Sequence, residues 1–262
     1  MSTLSIKEFI DKYDGEKDID RMMSRDFLSW VCDCFNRLDG KNQAELKIRL
    51  AKTYINVGWS EYIQGNVNEC NELMREGARL AEEMLSLAIK ERNGTYIGFI
   101  YNIRAQYTHC HVSFVDRAHA TPKLVRGLAL SLRYESDPVK NIYAYHALSI
   151  VAYTLSRLNG EEKTMLAIIC RHRLSYTFLD AKELMFKVVD HEDNKRHPLY
   201  RSALIWMAKI SLYLEDYDTA TMYAEEAAKL PMRDTNDILL DKSLQRILAN
   251  DMSIKGQRIL LQ

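Results

Sequence analysis

The chain has 262 residues but only four prolines and ten glycines. These residues supply most tight turns, so their scarcity excludes an all-β protein, which needs a turn about every eight to twelve residues. Cysteine is sparse too: Cys32, Cys34, Cys70, Cys110 and Cys170 are odd in number and widely spread. A secreted disulfide framework shows even, clustered cysteines in a shorter chain, so these read as buried free thiols in a reducing, cytoplasmic setting. The C-x-C at Cys32 and Cys34 has no second pair, and a structural zinc site takes four ligands. Neither sign of charge is in excess, with thirty-six Lys and Arg against thirty-six Asp and Glu. That balance removes the general electrostatic drive toward nucleic acid or an anionic membrane. No apolar run reaches the roughly eighteen residues of a membrane helix, and the amino terminus lacks a basic start followed by an apolar stretch. Neither membrane nor nucleic acid is expected as a partner. Walker, Rossmann, H-E-x-x-H and nucleophile-elbow patterns are missing, which shifts weight from catalysis to binding and implies no cofactor.

What is present is helical periodicity. In residues 66–91, Val67, Cys70, Leu73, Met74, Gly77, Leu80, Ala81, Met84 and Leu85 recur at three-and-four spacing, with charges on the other side. Boundaries follow from caps and breakers. Asp137-Pro138 reads as a helix start, Asn159-Gly160 as a helix end, and His197-Pro198 and Asp234 as two further starts. The pattern predicts about ten helices, near 5–14, 18–38, 41–64, 67–91, 94–117, 121–134, 138–158, 161–188, 198–214, 216–230 and 235–250. The expected fold is all-α, an irregular array of stacked antiparallel helical hairpins. A single domain over 1–262 is expected, with a soft division near 134–138.

Two segments carry weak internal repetition. RSALIWMAKISLYLEDYDTATMYAEEAAKLP (201–231) reads as helix, tight turn and second helix, with Ala220 and Ala227 seven apart and a closing proline. KTYINVGWSEYIQGNVNECNELMREGARLAEEM (52–84) echoes it, with Gly65-Asn66 at the turn and Cys70 and Gly77 in the small positions. Both resemble tetratricopeptide repeats, whose small residues let two antiparallel helices approach closely. The spacing between the echoes is not a multiple of the usual period of about 34 residues, so a regular array does not follow.

Chemistry-bearing residues crowd into YTHCHVSFVDRAH (107–119), which holds His109, Cys110, His111, Asp116 and His119. On a continuous helix, residues two apart diverge by about 200°, so His109 and His111 point apart. His111 and His119 share a face but stand about 12 Å apart along it, too far for one metal ion. No metal site is expected. Arg104 and His109 have the R-x4-H spacing that resembles the active-site motif of helical nucleotide-binding RNases. That resemblance implies acid–base work by His109 and phosphate stabilisation by Arg104. Ala105 departs from the polar residue usual after the arginine. Two basic knots, Arg171-His172-Arg173 and Asn194-Lys195-Arg196-His197, each suit a phosphate or an acidic partner. Fifteen tyrosines concentrate mid-chain, and Tyr101, Tyr107, Tyr143 and Tyr145 are the candidates for a tyrosine-lined protein-binding groove, Arg171 and Arg173 being further binding candidates.

The segment GWSEYIQGNVNECNELMREGARLAEEMLSLAI (58–89), with Trp59 before a Gly-Asn turn and a small-residue helix, resembles the all-helical immunity proteins of bacterial polymorphic toxin systems. That resemblance implies a non-enzymatic cytoplasmic protein that binds a cognate toxin stoichiometrically and masks its active site through acidic and tyrosine side chains. A tetratricopeptide-like adaptor, or a regulator sensing a peptide in its concave groove, is the second binding reading.

Overall fold

The computed structural model describes residues 4–40, 43–111, 114–171 and 174–249, without the side chains of 109–111 and 114. The described residues are all-helical and contain no strand. Their thirteen α-helices are α1 (Ile6–Asp14), α2 (Ile19–Met22), α3 (Arg25–Arg37), α4 (Ala44–Ile63), α5 (Val67–Lys90), α6 (Gly94–His111), α7 (Phe114–Tyr134), α8 (Ile142–Ser156), α9 (Gly160–Cys170), α10 (Phe178–Val189), α11 (Tyr200–Tyr213), α12 (Tyr217–Ala228) and α13 (Thr235–Leu248). A 3-10 segment, Glu192–Arg196, lies between α10 and α11. Sequential neighbours pack as hairpins: α4 with α5, α6 with α7, α11 with α12. The chain divides into two compact units, Met1–Glu91 and Arg92–Gln262.

The first unit is built on the α4–α5 hairpin. Gly65, at φ 84°, makes the tight turn that no side chain tolerates easily. Gly77 then lets α5 close on α4, since a Cβ there would stand 2.9 Å from the Ala51 carbonyl oxygen. The amino-terminal helices add a cluster of tilted rings, Phe9, Tyr13, Phe27 and Trp30, with centroids 5.3–6.0 Å apart. The helix expected over 18–38 is two helices. Ser24 ends the first by donating to the Arg21 carbonyl and caps the second by accepting from the Phe27 N–H.

In the second unit α11 is the core. Thirteen of its fourteen residues are buried, as expected of a helix enclosed on all sides. It contacts α10, α12, α13 and α8. Ala220, Ala224 and Ala227, all fully buried, form the side of α12 that lies in this core. Where α6, α7 and α8 meet, Asn141 Nδ2 donates to Ser131 Oγ (2.8 Å) and to the Glu135 carbonyl (2.8 Å), while Ser131 Oγ donates to the Gly94 carbonyl (2.6 Å). This network satisfies a buried turn, and it displaces the start of α8 from Pro138 to Ile142.

Three other expected boundaries differ. The expected helix end at Asn159-Gly160 is a start: Asn159 forms a capping box with Glu162 and opens α9. The single helix expected over 161–188 is interrupted. Arg171 ends α9 in the left-handed conformation (φ 57°), and a capping box of Thr177 with Asp180 opens α10. The residues expected as one helix over 94–117 are divided between α6 and α7, which pack against each other, and Pro122 lies inside α7. His111 and His119 therefore lie on different helices, so the spacing along one shared helix does not apply to them.

Candidate functional site

Within the second unit, a cavity of about 510 Å³ is lined by Tyr101 of α6, by His119, Pro122, Lys123, Arg126, Gly127 and Leu130 of α7, and by Ile169, Cys170 and Arg171 at the end of α9. Its α7 side is a single helical stripe. His119, Lys123, Arg126 and Leu130 are spaced four, three and four apart, which returns to the same face about every turn. His119, Lys123, Arg126 and Arg171 are exposed, and no carboxylate lines the cavity.

The floor explains why the groove exists. The Tyr101 ring lies against the backbone of α7 at Gly127, where an added Cβ would fall 2.0 Å from Cζ of that ring. Glycine at this point lets α6 and α7 approach closely enough to bury Tyr101. The Arg104 guanidinium sits 5.6 Å over the same ring, one helical turn along α6. At the other wall the Cys170 thiol is buried and donates to the Ala118 carbonyl at 3.5 Å. Burial pushes its pKa above the ordinary thiol value, with Arg126 opposing, so it is a packed thiol and not an activated nucleophile. His119 Nδ1 lies 2.9 Å from the Val115 carbonyl, which leaves the other ring nitrogen for the groove. The site is a cationic cleft with an apolar, partly aromatic floor, suited to holding an anionic group beside apolar atoms.

The residues singled out from sequence disperse unevenly. Tyr101 and Arg171 meet in this groove. Tyr143 stands edge-on to Phe99 (5.1 Å) and to His197 (5.3 Å) on α8. Tyr145 is buried, donating its hydroxyl to the Ser136 carbonyl at 2.9 Å, and burial raises its pKa. Tyr107 is half-buried on α6. Arg173 and His172 lie outside the described residues, as do the side chains of His109, Cys110 and His111. Arg104 is engaged with Tyr101, and the pairing with His109 falls on an undescribed side chain. Among the described residues no three His, Cys, Asp or Glu come together as a metal-binding group. No helix among them is long and apolar enough to cross a membrane.

Sequence reasoning missed the α7 stripe, although its signal was present. Between Phe114 and Tyr134 the helix carries one acid, Asp116, against Arg117, Lys123, Arg126 and Arg133. A second constellation imitates a hydrolase and is closed to substrate. Ser202 Oγ lies 3.1 Å from His146 Nε2, with Asp234 acting on the imidazole through its charge. Ser202 donates its proton to the Leu199 carbonyl, and all three residues are buried. Burial drives the His146 pKa down to about 4, so the ring stays neutral and serves the packing of α8 on α11.

No protein-family model matches this chain, and no curated protein matches it.

Proposed function

We propose that the chain is a non-enzymatic protein-binding module, acting in the manner of a bacterial immunity protein that captures and neutralises a toxin. The observation that carries this reading is the cationic groove of the second unit. Arg126 and Arg171 form no ion pair among the described residues, and the cavity between them has an apolar floor large enough for partner side chains. Exposed cations held beside apolar surface steer an acidic partner and slow its release. The sign differs from the acidic contacts that the sequence resemblance implies, so the complementary acidic surface belongs to the partner. Hairpin packing supplies the rigid frame that such a surface needs.

The test is co-expression with toxins encoded in neighbouring genes, followed by pull-down. Binding and protection are expected, and the double variant Arg126→Glu, Arg171→Glu is expected to lose both while keeping its helical circular dichroism. Failure of the unmodified protein to bind or protect against any of them sinks the proposal. If the unmodified protein instead degrades labelled RNA, and His109→Ala abolishes that activity, the enzymatic reading replaces it.

A further inference from the structure

The groove does not end at its charged lining. On α7 the stripe continues one turn earlier to Val115, which is 47% exposed. On α9 the residue next to the groove-lining Ile169 is Ile168, which at 72% is the most exposed large apolar side chain among those described, and Met165 lies one turn before it at 47%. From Thr164 to Cys170 α9 carries no charge. Three exposed apolar side chains therefore accompany the row of cations.

Resting on the protein-binding reading above, we infer that the groove receives an acidic amphipathic helix of the partner, with carboxylates on His119, Lys123, Arg126 and Arg171 and apolar side chains on Ile168 and Met165. Charge complementarity carries this assignment: apart from the Tyr101 phenol and the Cys170 thiol, every titratable side chain in the lining is a cation or a histidine. Pitch favours a helix. Along α7, His119, Lys123 and Arg126 rise at about 6 Å and then about 4.5 Å intervals, the same steps that carboxylates at i, i+4 and i+7 of a second helix present. An extended strand presents side chains on one face about every 6.8 Å and falls out of step within three residues. Helix-in-groove recognition uses i, i+3, i+4 and i+7 anchors of this kind.

The experiment uses the full chain and a fluorescein-labelled probe of about five helical turns, with Glu and Leu placed on opposite sides of an amphipathic helix. A scrambled peptide of the same composition and a version with Lys for Glu are the controls, read by fluorescence anisotropy at low and physiological salt. The acidic amphipathic probe is expected to bind, with affinity falling as salt rises. The scrambled probe is expected to bind at least about tenfold more weakly and the basic one not at all. Arg126→Glu and Ile168→Asp, both at exposed positions, are each expected to weaken the probe about tenfold. Equal binding of the scrambled probe, or indifference to Ile168→Asp, overturns the helix assignment. So does self-association of the unlabelled chain in sedimentation that Arg126→Glu removes, because the occupant is then a second copy. A natural partner whose capture is lost in Arg126→Glu but survives Ile168→Asp also overturns it, while leaving the protein-binding reading standing. Absence of any natural partner sinks that reading separately.

Discussion

The two units handle charge in opposite ways. Residues 1–91 hold thirteen Lys and Arg against seventeen Asp and Glu, a net of −4, and residues 92–262 hold twenty-three against nineteen, a net of +4. The neutral total conceals both. Inside the first unit, the described buried charge is answered. Glu61, only 6% exposed, accepts from Arg25 Nε and from Asn66 Nδ2, each at 2.7 Å. Arg49 reaches Asp14 and Glu45 at 2.5 and 2.7 Å. Among the described residues, every buried side-chain polar atom lacking a hydrogen-bond partner belongs to the second unit, including Lys209 Nζ, His146 Nδ1, Ser211 Oγ and Asp237 Oδ1. The first unit has the economy of a structural element. Unsatisfied buried polar groups and a basic groove both sit in the second, where strain and function tend to gather.

Lys209 gives the largest expected effect. Its ammonium is 1% exposed and stacks 3.9 Å over the Trp206 ring, with the Tyr153 ring 5.9 Å away and Arg157 adding repulsion. Burial, then Arg157, lowers its pKa to about 7. Lys209→Met keeps the stem and removes the amine, and is expected to stabilise the protein by about 3 kcal/mol at neutral pH in urea unfolding. The sign with pH follows from linkage. Below about pH 7 both folded and unfolded states carry the charge and the penalty is whole. Between about 7 and the unfolded value of 10.5 only the unfolded chain is protonated, so the native protein gains stability as pH rises. The advantage of Lys209→Met should therefore shrink from pH 7 toward pH 10. A pH-independent advantage removes the buried amine from the account.

The same kind of edit in the first unit has the opposite sign. Glu61→Leu deletes a buried carboxylate together with its charge-assisted hydrogen bonds from Arg25 and Asn66, and is expected to destabilise by about 2 kcal/mol in the same assay. Hydrogen bonds from Asn66 and then Arg25 hold the Glu61 carboxyl below its ordinary pKa. Its contribution is present above that ordinary value and fades as pH falls through the lowered one. If Glu61→Leu stabilises, the contrast between satisfied and unsatisfied units collapses.

Much of the architecture was legible in the sequence because apolar periodicity is clear in helices such as α5 and turn-forming residues are few elsewhere. The breaks were not. Ser24 and Thr177 interrupt helices by single side-chain caps set inside continuing apolar patterns, and periodicity does not register them. Asn159 misled for a related reason: Asn serves both helix ends, so residue type alone did not orient it. At the groove, Arg171 and Tyr101 were visible as chemistry but not as neighbours, since α6, α7 and α9 bring them together only in the fold. The α7 stripe was readable from spacing alone, since His119, Lys123, Arg126 and Leu130 recur every three or four residues.

Gly127 tests whether the groove floor depends on close approach of α6 and α7. Alanine ordinarily favours a helix interior by about 1 kcal/mol over glycine. At 127 its Cβ meets the Tyr101 ring at 2.0 Å, so the ring or the helix must move, at a cost of about 1–3 kcal/mol. A net loss of about 1 kcal/mol is expected, together with weaker binding in the groove and changed Tyr101 fluorescence. A stabilised Gly127→Ala protein shows that the ring moves freely and that the floor is not fixed by packing.

Arg126→Glu is the smallest expected change in stability and the most informative. The side chain is exposed and forms no ion pair among the described residues, so its reversal should shift unfolding by no more than about 0.5 kcal/mol. The slightly raised Cys170 acidity that Arg126 confers should disappear, slowing thiol labelling at a given pH. Reversal also takes the second unit from +4 to +2, halving the difference that opposes the first unit's −4. If the groove were only a consequence of packing, binding would change as little as stability does. A loss of partner capture in a variant that unfolds like the native protein separates the two, and it locates the function of the chain in the basic second unit.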